Sequence, residues 1–137
     1  DLGDLTASST GGSYVNAISA DGSVVVGGAD YGTGANAHAF RWSSAGGMQD
    51  LGDFTASGTG RSKAIAISAD GSFITYEVVS SPRSNVVLWN RVTGVTRLSY
   101  GASPAISADG RYVTYLDHLD SDYNSSQVFL TTNPSLR

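Results

Sequence analysis

The chain has no cysteine, which excludes disulfides, thiolate zinc sites, iron–sulfur clusters and haem attached through Cys-x-x-Cys-His. Positive charge is scarce. Lys63 is the single lysine, and eight Lys plus Arg face twelve Asp plus Glu, a net charge of −4. With a pI near 4.8, the chain lacks the cationic footprint that displaces counterions from phosphates, so nucleic acid is not an expected partner. No apolar run approaches the length of a membrane span, and no charged-then-apolar leader is visible. Nowhere do apolar residues hold a spacing of three, four and seven, so no helix is expected. No Gly-x-Ser-x-Gly elbow opening a helix and no phosphate-binding glycine loop can be read.

What is present is repetition. The phrase Ile-Ser-Ala-Asp-Gly, followed by Ser or Arg, begins at Ile18, Ile67 and Ile106. Each copy precedes an apolar or β-branched run: Val24-Val25-Val26, Phe73-Ile74-Thr75-Tyr76 and Tyr112-Val113-Thr114-Tyr115. Asp-Gly between two such runs is a hairpin signal, because Gly takes a positive φ and Asp bonds its own backbone. Asp21-Gly22, Asp70-Gly71 and Asp109-Gly110 are therefore read as structural turns rather than calcium ligands. Asp1 to Ser8 returns as Asp50 to Ser57 at an offset of 49, and the offset falls to 47 where Trp42 meets Trp89. The third turn follows the second by 39 residues, and Gln127-Val128-Phe129-Leu130 aligns with Val86 to Trp89 at an offset of 41.

Each unit then reads as four short strands. The first strands carry Val15 to Ser19, Ala64 to Ser68 and Ala105 to Ser107. The second carry Ser23 to Ala29, Ser72 to Val79 and Arg111 to His118; the third carry His38 to Ser43, Asn85 to Asn90 and Gln127 to Thr131. Met48 to Asp53 and Val95 to Tyr100 supply fourth strands. Four strands in units of about 40–45 residues indicate an all-β, β-propeller-type repeat with about three blades. The expected single domain spans 1–137, with units 6–53, 54–100 and 101–137 plus 1–5. A β-trefoil is the alternative. The third unit stops at the residue before the counterpart of Asp50, which is Asp1. The N-terminal strand (Asp1, Leu2, Gly3, Asp4 and Leu5) is therefore expected to complete the last blade, because an open strand edge invites aggregation. Two chains could so form a six-bladed ring, or the chain is one piece of a longer array.

Candidate chemistry is thin. Asp120, Asp122 and Asn124 have the alternating oxygen spacing of a calcium loop, but Ser125 and Thr131 stand where such a loop needs Gly and Glu. His38 has no partner at readable spacing, and His118 is far away in sequence. Trp42 and Trp89 share one repeat position, with Leu130 as the third, and are read as core between blades. Asp4, Asp53 and Glu77 form no visible acid–base set. Tyr14, Tyr31, Tyr100 and Tyr123 lie in or beside loops.

Ala17 to Gly27 followed by Asn36 to Gly52, with its His38-Ala39-Phe40, resembles the bacterial extracellular HAF repeat. The second unit keeps the turn and the Trp but has Val87-Leu88-Trp89 instead of the triplet. Ile106 to Leu130 is similar to TolB-like or WD-like propeller blades. The resemblance implies an exported bacterial propeller, extracellular or at the cell surface, and is almost silent on activity; with no acid–base set or nucleophile motif to read, a non-enzymatic module without cofactor is expected. Its work would be protein–protein interaction or assembly, with itself, with a partner or with further blades. A carbohydrate-binding module is the alternative, and a fragment of a propeller enzyme a third reading.

Overall fold

The computed structural model describes the chain apart from residues 9, 33–35, 56, 81–82, 119–125 and 137, and describes only the backbone of 118. The chain folds as three consecutive antiparallel sheets, one per repeat. Blade 1 comprises β1 (Ser13–Ile18), β2 (Val24–Asp30), β3 (Ala37–Ser43) and β4 (Gly47–Gly52). Blade 2 comprises β5 (Arg61–Ile67), β6 (Phe73–Val79), β7 (Asn85–Asn90) and β8 (Gly94–Tyr100). Blade 3 has β9 (Ala102–Ile106), β10 (Tyr112–His118) and β11 (Ser126–Thr132), followed by one 3-10 turn at Pro134–Leu136. In every sheet the strands are hydrogen-bonded in sequence order. This is the meander of a propeller blade. It overturns the trefoil alternative, in which strands of different repeats would share one barrel.

Packing explains the apolar runs. Six consecutive residues of β2 and six of β6 are buried, because each blade is covered on both faces. The core between blades 1 and 2 holds Val24, Val26, Ala39, Ala64, Ile74, Tyr76, Val78 and Val87, with Leu51 and Trp89 packed against it. Between blades 2 and 3 lie Phe73, Leu88 and Val113, with Leu98 and Ile106. Leu51 and Leu98 reach these seams through a shared device. The register of β3–β4 jumps between Ala39 and Phe40, and that of β7–β8 at the equivalent Val86 and Val87. Leu51 and Leu98 are the residues skipped, and such a bulge re-aims a side chain.

The register also corrects the alignment of the third unit. Tyr76 pairs with Val87, and its counterpart Tyr115 pairs with Phe129. The offset at β11 is thus 42 (129 − 87), not 41. Thr131, not Leu130, occupies the tryptophan position, since Ile74 faces Trp89 and Val113 faces Thr131. The one-residue shift turns Val128 and Leu130 to the opposite face of the sheet. It also removes the residue-for-residue phase between Arg137 and Asp1.

Asp1–Leu5 does not complete the third sheet of its own chain. The third sheet has the order β11-β10-β9, and the N-terminal segment lies against blade 1, where Leu5 makes a single parallel bridge to Tyr31. Leu2 and Leu5 pack there with Val25, Ala29, Phe40, Trp42 and Met48. Blades 1 and 3 are the two ends of an open arc, so five residues leading into β1 cannot reach β11.

Candidate functional site

The repeated phrase forms one hydrogen-bonded turn three times. Asp21 accepts from the Ser23 N–H at 2.9 Å and from the Ser19 hydroxyl at 2.8 Å, while Val24 N–H donates to Ser19 Oγ at 3.0 Å. Asp70 and Asp109 repeat the arrangement with Ser68, Ser72, Ser107 and Arg111. The Ser23 N–H and hydroxyl hold the Asp21 carboxyl down at about 2. The same phrase also ties blade to blade, a role not visible in sequence. Ala20 N–H donates to Ala69 O at 2.9 Å, and Ala69 N–H to Ala108 O at 2.8 Å. The turn glycines sit at φ +73, +71 and +72. A Cβ on Gly71 would lie 2.9 Å from Val24 Cγ2, and one on Gly110 2.5 Å from Phe73 Cδ2, each in the preceding blade.

His38 has the partners that its sequence context hides. Its Nδ1 lies 3.0 Å from both Asp50 oxygens, and its ring stacks on Tyr31 at 4.0 Å between centroids. Nε2 is 3.4 Å from Asp53 Oδ2, close enough for charge attraction but outside hydrogen-bond geometry. The imidazole is 1% exposed and Asp53 3%. Burial pushes the Asp53 carboxyl up, but the Thr55 N–H and hydroxyl, the Gly60 N–H and His38 outweigh it, and it rests below its ordinary value. A ring sealed between two carboxylates and a tyrosine presents no face to a substrate. The arrangement fastens β3, β4 and the loop after β4 together. Glu77, the other buried acid, lies 3.7 Å from Lys63 Nζ.

The N-terminal segment is a second copy of the loop after β4. Asp1 accepts from Gly3 N–H at 2.9 Å as Asp50 does from Gly52 at 2.7 Å. Asp4 accepts from Thr6 N–H at 2.7 Å as Asp53 does from Thr55 at 2.8 Å. Ser13 Oγ donates to Gly3 O at 3.1 Å as Ser62 Oγ does to Gly52 O at 2.6 Å. The Ser62 hydroxyl also accepts from Ala39 N–H at 2.8 Å, so it clamps β3 and β4 of blade 1 onto blade 2. Leu2 packs in the cluster that holds Phe40 and Trp42, as Leu51 packs in the one that holds Val87 and Trp89. The segment thus has the conformation of a fourth strand leaving one blade for the next.

The two ends of the arc differ from its interior. Val128 is 72% exposed, Leu130 67% and Tyr112 47%, whereas Val86, Leu88 and Phe73 at the same positions of blade 2 are buried. This outer face of β10 and β11 is a contiguous apolar surface. Elsewhere, Tyr14, Asp30, Arg61 and Lys63 line an open cleft of about 400 Å³ between blades 1 and 2. Trp89 is partly buried between blades 1 and 2, with the Arg41 guanidinium 5.5 Å from its ring, whereas Trp42 packs at the open end of blade 1 with Leu2, Leu5 and Met48 rather than between blades. Asp120, Asp122, Asn124 and Tyr123 lie outside the described residues. Among the described residues no three His, Cys, Asp or Glu side chains cluster as metal ligands, and no helix is long and apolar enough to cross a membrane.

No family model and no curated protein sequence matches the chain. Two solved structures are similar to it. TolB from Acinetobacter baumannii superposes with a TM-score of 0.62 at 20% identity, over 88% of this chain and 29% of that one. A TolB-type protein from Agrobacterium tumefaciens does so with 0.63 at 20% identity, over 84% of this chain and 40% of that one. The chain therefore spans less than half the length of either. At this identity the likeness speaks for fold alone: three consecutive blades of a β-propeller, in the arrangement that TolB structures share.

Proposed function

We propose that this chain is a non-enzymatic protein-interaction module, working by docking a protein on the outer face of its third blade, in an exported bacterial setting. The observation that carries the reading is the exposure of Tyr112, Val128 and Leu130 together, at positions that blade 2, which another blade follows, fills with the buried Phe73, Val86 and Leu88. Large contiguous apolar surface on a folded domain marks a docking site. The sealed His38 cluster supports a structural rather than a catalytic use of this buried titratable network. It also gives physical content to the HAF-type motif: the histidine is the pin, and the Asp-Leu-Gly-Asp after it is the socket. The TolB-like fold agrees with export.

The test is a photo-crosslinking amino acid placed at position 130, with position 92 as control. Val92 is an isolated exposed residue in a turn outside the face. In native cells the probe at 130 is expected to trap a defined protein partner, and the probe at 92 is not. Equal, diffuse labelling from both positions removes the reading. A second reading, glycan binding, is favoured by the open cleft that sets Tyr14 beside Asp30, Arg61 and Lys63. Calorimetry against a glycan set, with Tyr14→Ala as control, separates the two.

A further inference from the structure

We infer that the partner of the third-blade face is a second copy of this chain, joined head to tail so that Asp1–Gly3 becomes the fourth strand of the partner's third sheet. The inference rests on the docking reading above and adds the occupant and its register. Its template is the seam between blades 1 and 2, whose turn-to-turn bond, turn-glycine contact and serine clamp each have their halves at the two ends of the chain.

At the inner rim each phrase alanine donates to the next, from Ala20 to Ala69 to Ala108. The series leaves Ala108 N–H as the next donor and Ala20 O as the next acceptor, and a second copy joins them. Each turn glycine lies on the first β2-type residue of the blade before it, Gly71 on Val24 and Gly110 on Phe73. Tyr112 is the third residue of that type and lies exposed. A Cβ on Gly22 would meet nothing outside its own turn, its nearest neighbour being Ile18 Cδ1 at 4.0 Å. Gly22 of one copy fits Tyr112 of the other. Further out, Ser62 Oγ bridges Gly52 O and Ala39 N–H, while Ser13 Oγ holds Gly3 O with no second strand to clamp.

The register follows from the template. Ala39 pairs with Gly52 and Phe40 with Asp50, with Leu51 skipped. Carried to blade 3, Val128 pairs with Gly3 and Phe129 with Asp1, with Leu2 skipped and already packed on blade 1. The Val128 N–H then donates to Ser13 Oγ. Gln127 takes the place of His38, between Asp1 and Asp4, where its amide N–H groups can donate to a carboxylate. This is strand addition to an open sheet edge, in which main-chain bonds give affinity and side-chain seats give specificity. Ring arithmetic selects the stoichiometry. Propellers close with about four to eight blades, and two copies of these three blades give six, whereas three copies overshoot.

Light scattering over a concentration series of the purified chain is the test. The mass is expected to rise from 14.1 kDa to twice that value and no further. Leu130→Asp, at an exposed position that leaves the monomer fold intact, is expected to hold the mass at one chain. Gln127→His rebuilds the His38 pin across the interface and is expected to tighten association on the order of tenfold; Gln127→Glu places a third carboxylate there and weakens it by a similar factor. A mass fixed at one chain up to millimolar concentration overturns the inference, as does association indifferent to both changes at 127. Failure here leaves the docking reading standing if the probe at 130 traps a different protein. If that probe traps nothing either, both fall.

Discussion

The outer ends of blades 1 and 2 are the same piece of the repeat built with different chemistry. In blade 1, His38 stacks on Tyr31 and sits between Asp50 and Asp53. In blade 2 the counterparts are Asn85, Ser80, Arg97 and Tyr100. There Asn85 Nδ2 donates to Ser80 Oγ at 3.1 Å, and Arg97 lies over the Tyr100 ring at 5.2 Å. Histidine and its acid pair are present together or absent together. The inner turns do not vary in this way, because the phrase as a whole serves two blades: Asp closes the turn, Ala bonds the next turn, and Gly lies on the preceding blade. A position bound on two sides tolerates little change. At the outer end the side chains of these positions bond within their own blade, so it can be closed by a histidine between two carboxylates in one copy and by an Asn–Ser hydrogen bond in the next.

The largest expected effect breaks this comparison at its strongest contact. His38→Ala removes the partner of two carboxylates, one of them buried. Losing a hydrogen bond to a charged group costs about 1.5–3 kcal/mol, and removal of the buried ring adds the cost of a cavity. Asn85→Ala removes one neutral bond at an exposed serine and is expected to cost about 1 kcal/mol or less. Urea denaturation of the two variants measures both. Equal losses would mean that the histidine and its two carboxylates add nothing to a plain outer end.

Next in size is the clamp between blades. Ser62→Ala leaves the buried Ala39 N–H without its acceptor and the Gly52 carbonyl without its donor, a loss of about 2 kcal/mol. Ser13→Ala, at the same repeat position but on the open end, is expected to change monomer stability by less than about 0.5 kcal/mol. The pair sharpens the contrast between a repeat position in use and the same position awaiting use. A similar loss in both, measured at concentrations where the chain is monomeric, would deny that the seam gives Ser62 its weight.

Much of this architecture is legible in the residues. The thrice-repeated phrase and the runs after it locate eleven strands, because a strand buried on both faces reads as an unbroken apolar run and the Asp-Gly turns punctuate it. The partner of His38 is hidden because it lies across a hairpin and past a bulge. Counting back from Ser43 opposite Gly47 pairs Arg41 with Gln49 and Phe40 with Asp50, and only the skipped Leu51 brings Asp50 and Asp53 back beside His38. One signal was readable: Asp-Leu-Gly-Asp follows the unit that has His and is replaced by Arg97-Leu98-Ser99-Tyr100 in the unit that has Asn. The third unit misaligns by one because the long segment before β11 offers no landmark. There Gln127-Val128-Phe129-Leu130 fits either face by composition, and only the stack of Phe129 on Tyr115 decides.

The smallest expected effect concerns acid, and it again separates the two outer ends. The Asp53 carboxyl is held below its ordinary value in the folded chain, against the burial that pushes it up, by Thr55, Gly60 and His38. A depressed acid gives stability that is complete above its unfolded value, near 3.9, and is lost as pH falls through and below that value. The turn acids Asp21, Asp70 and Asp109 are depressed as well, so Asp53 supplies only part of the acid limb. Asp53→Asn is therefore expected to flatten the fall in stability below about pH 4 without abolishing it, and to do so less once His38 is also changed to Asn. Tyr100, which stands at the Asp53 position of blade 2, is not a carboxylate, so Tyr100→Phe should leave the acid limb untouched. Urea midpoints between about pH 2 and 6 read all three variants. An acid limb that Asp53→Asn leaves at full steepness would assign the whole of it to the turns, and the outer end of blade 1 would then differ from that of blade 2 in geometry but not in its response to protons.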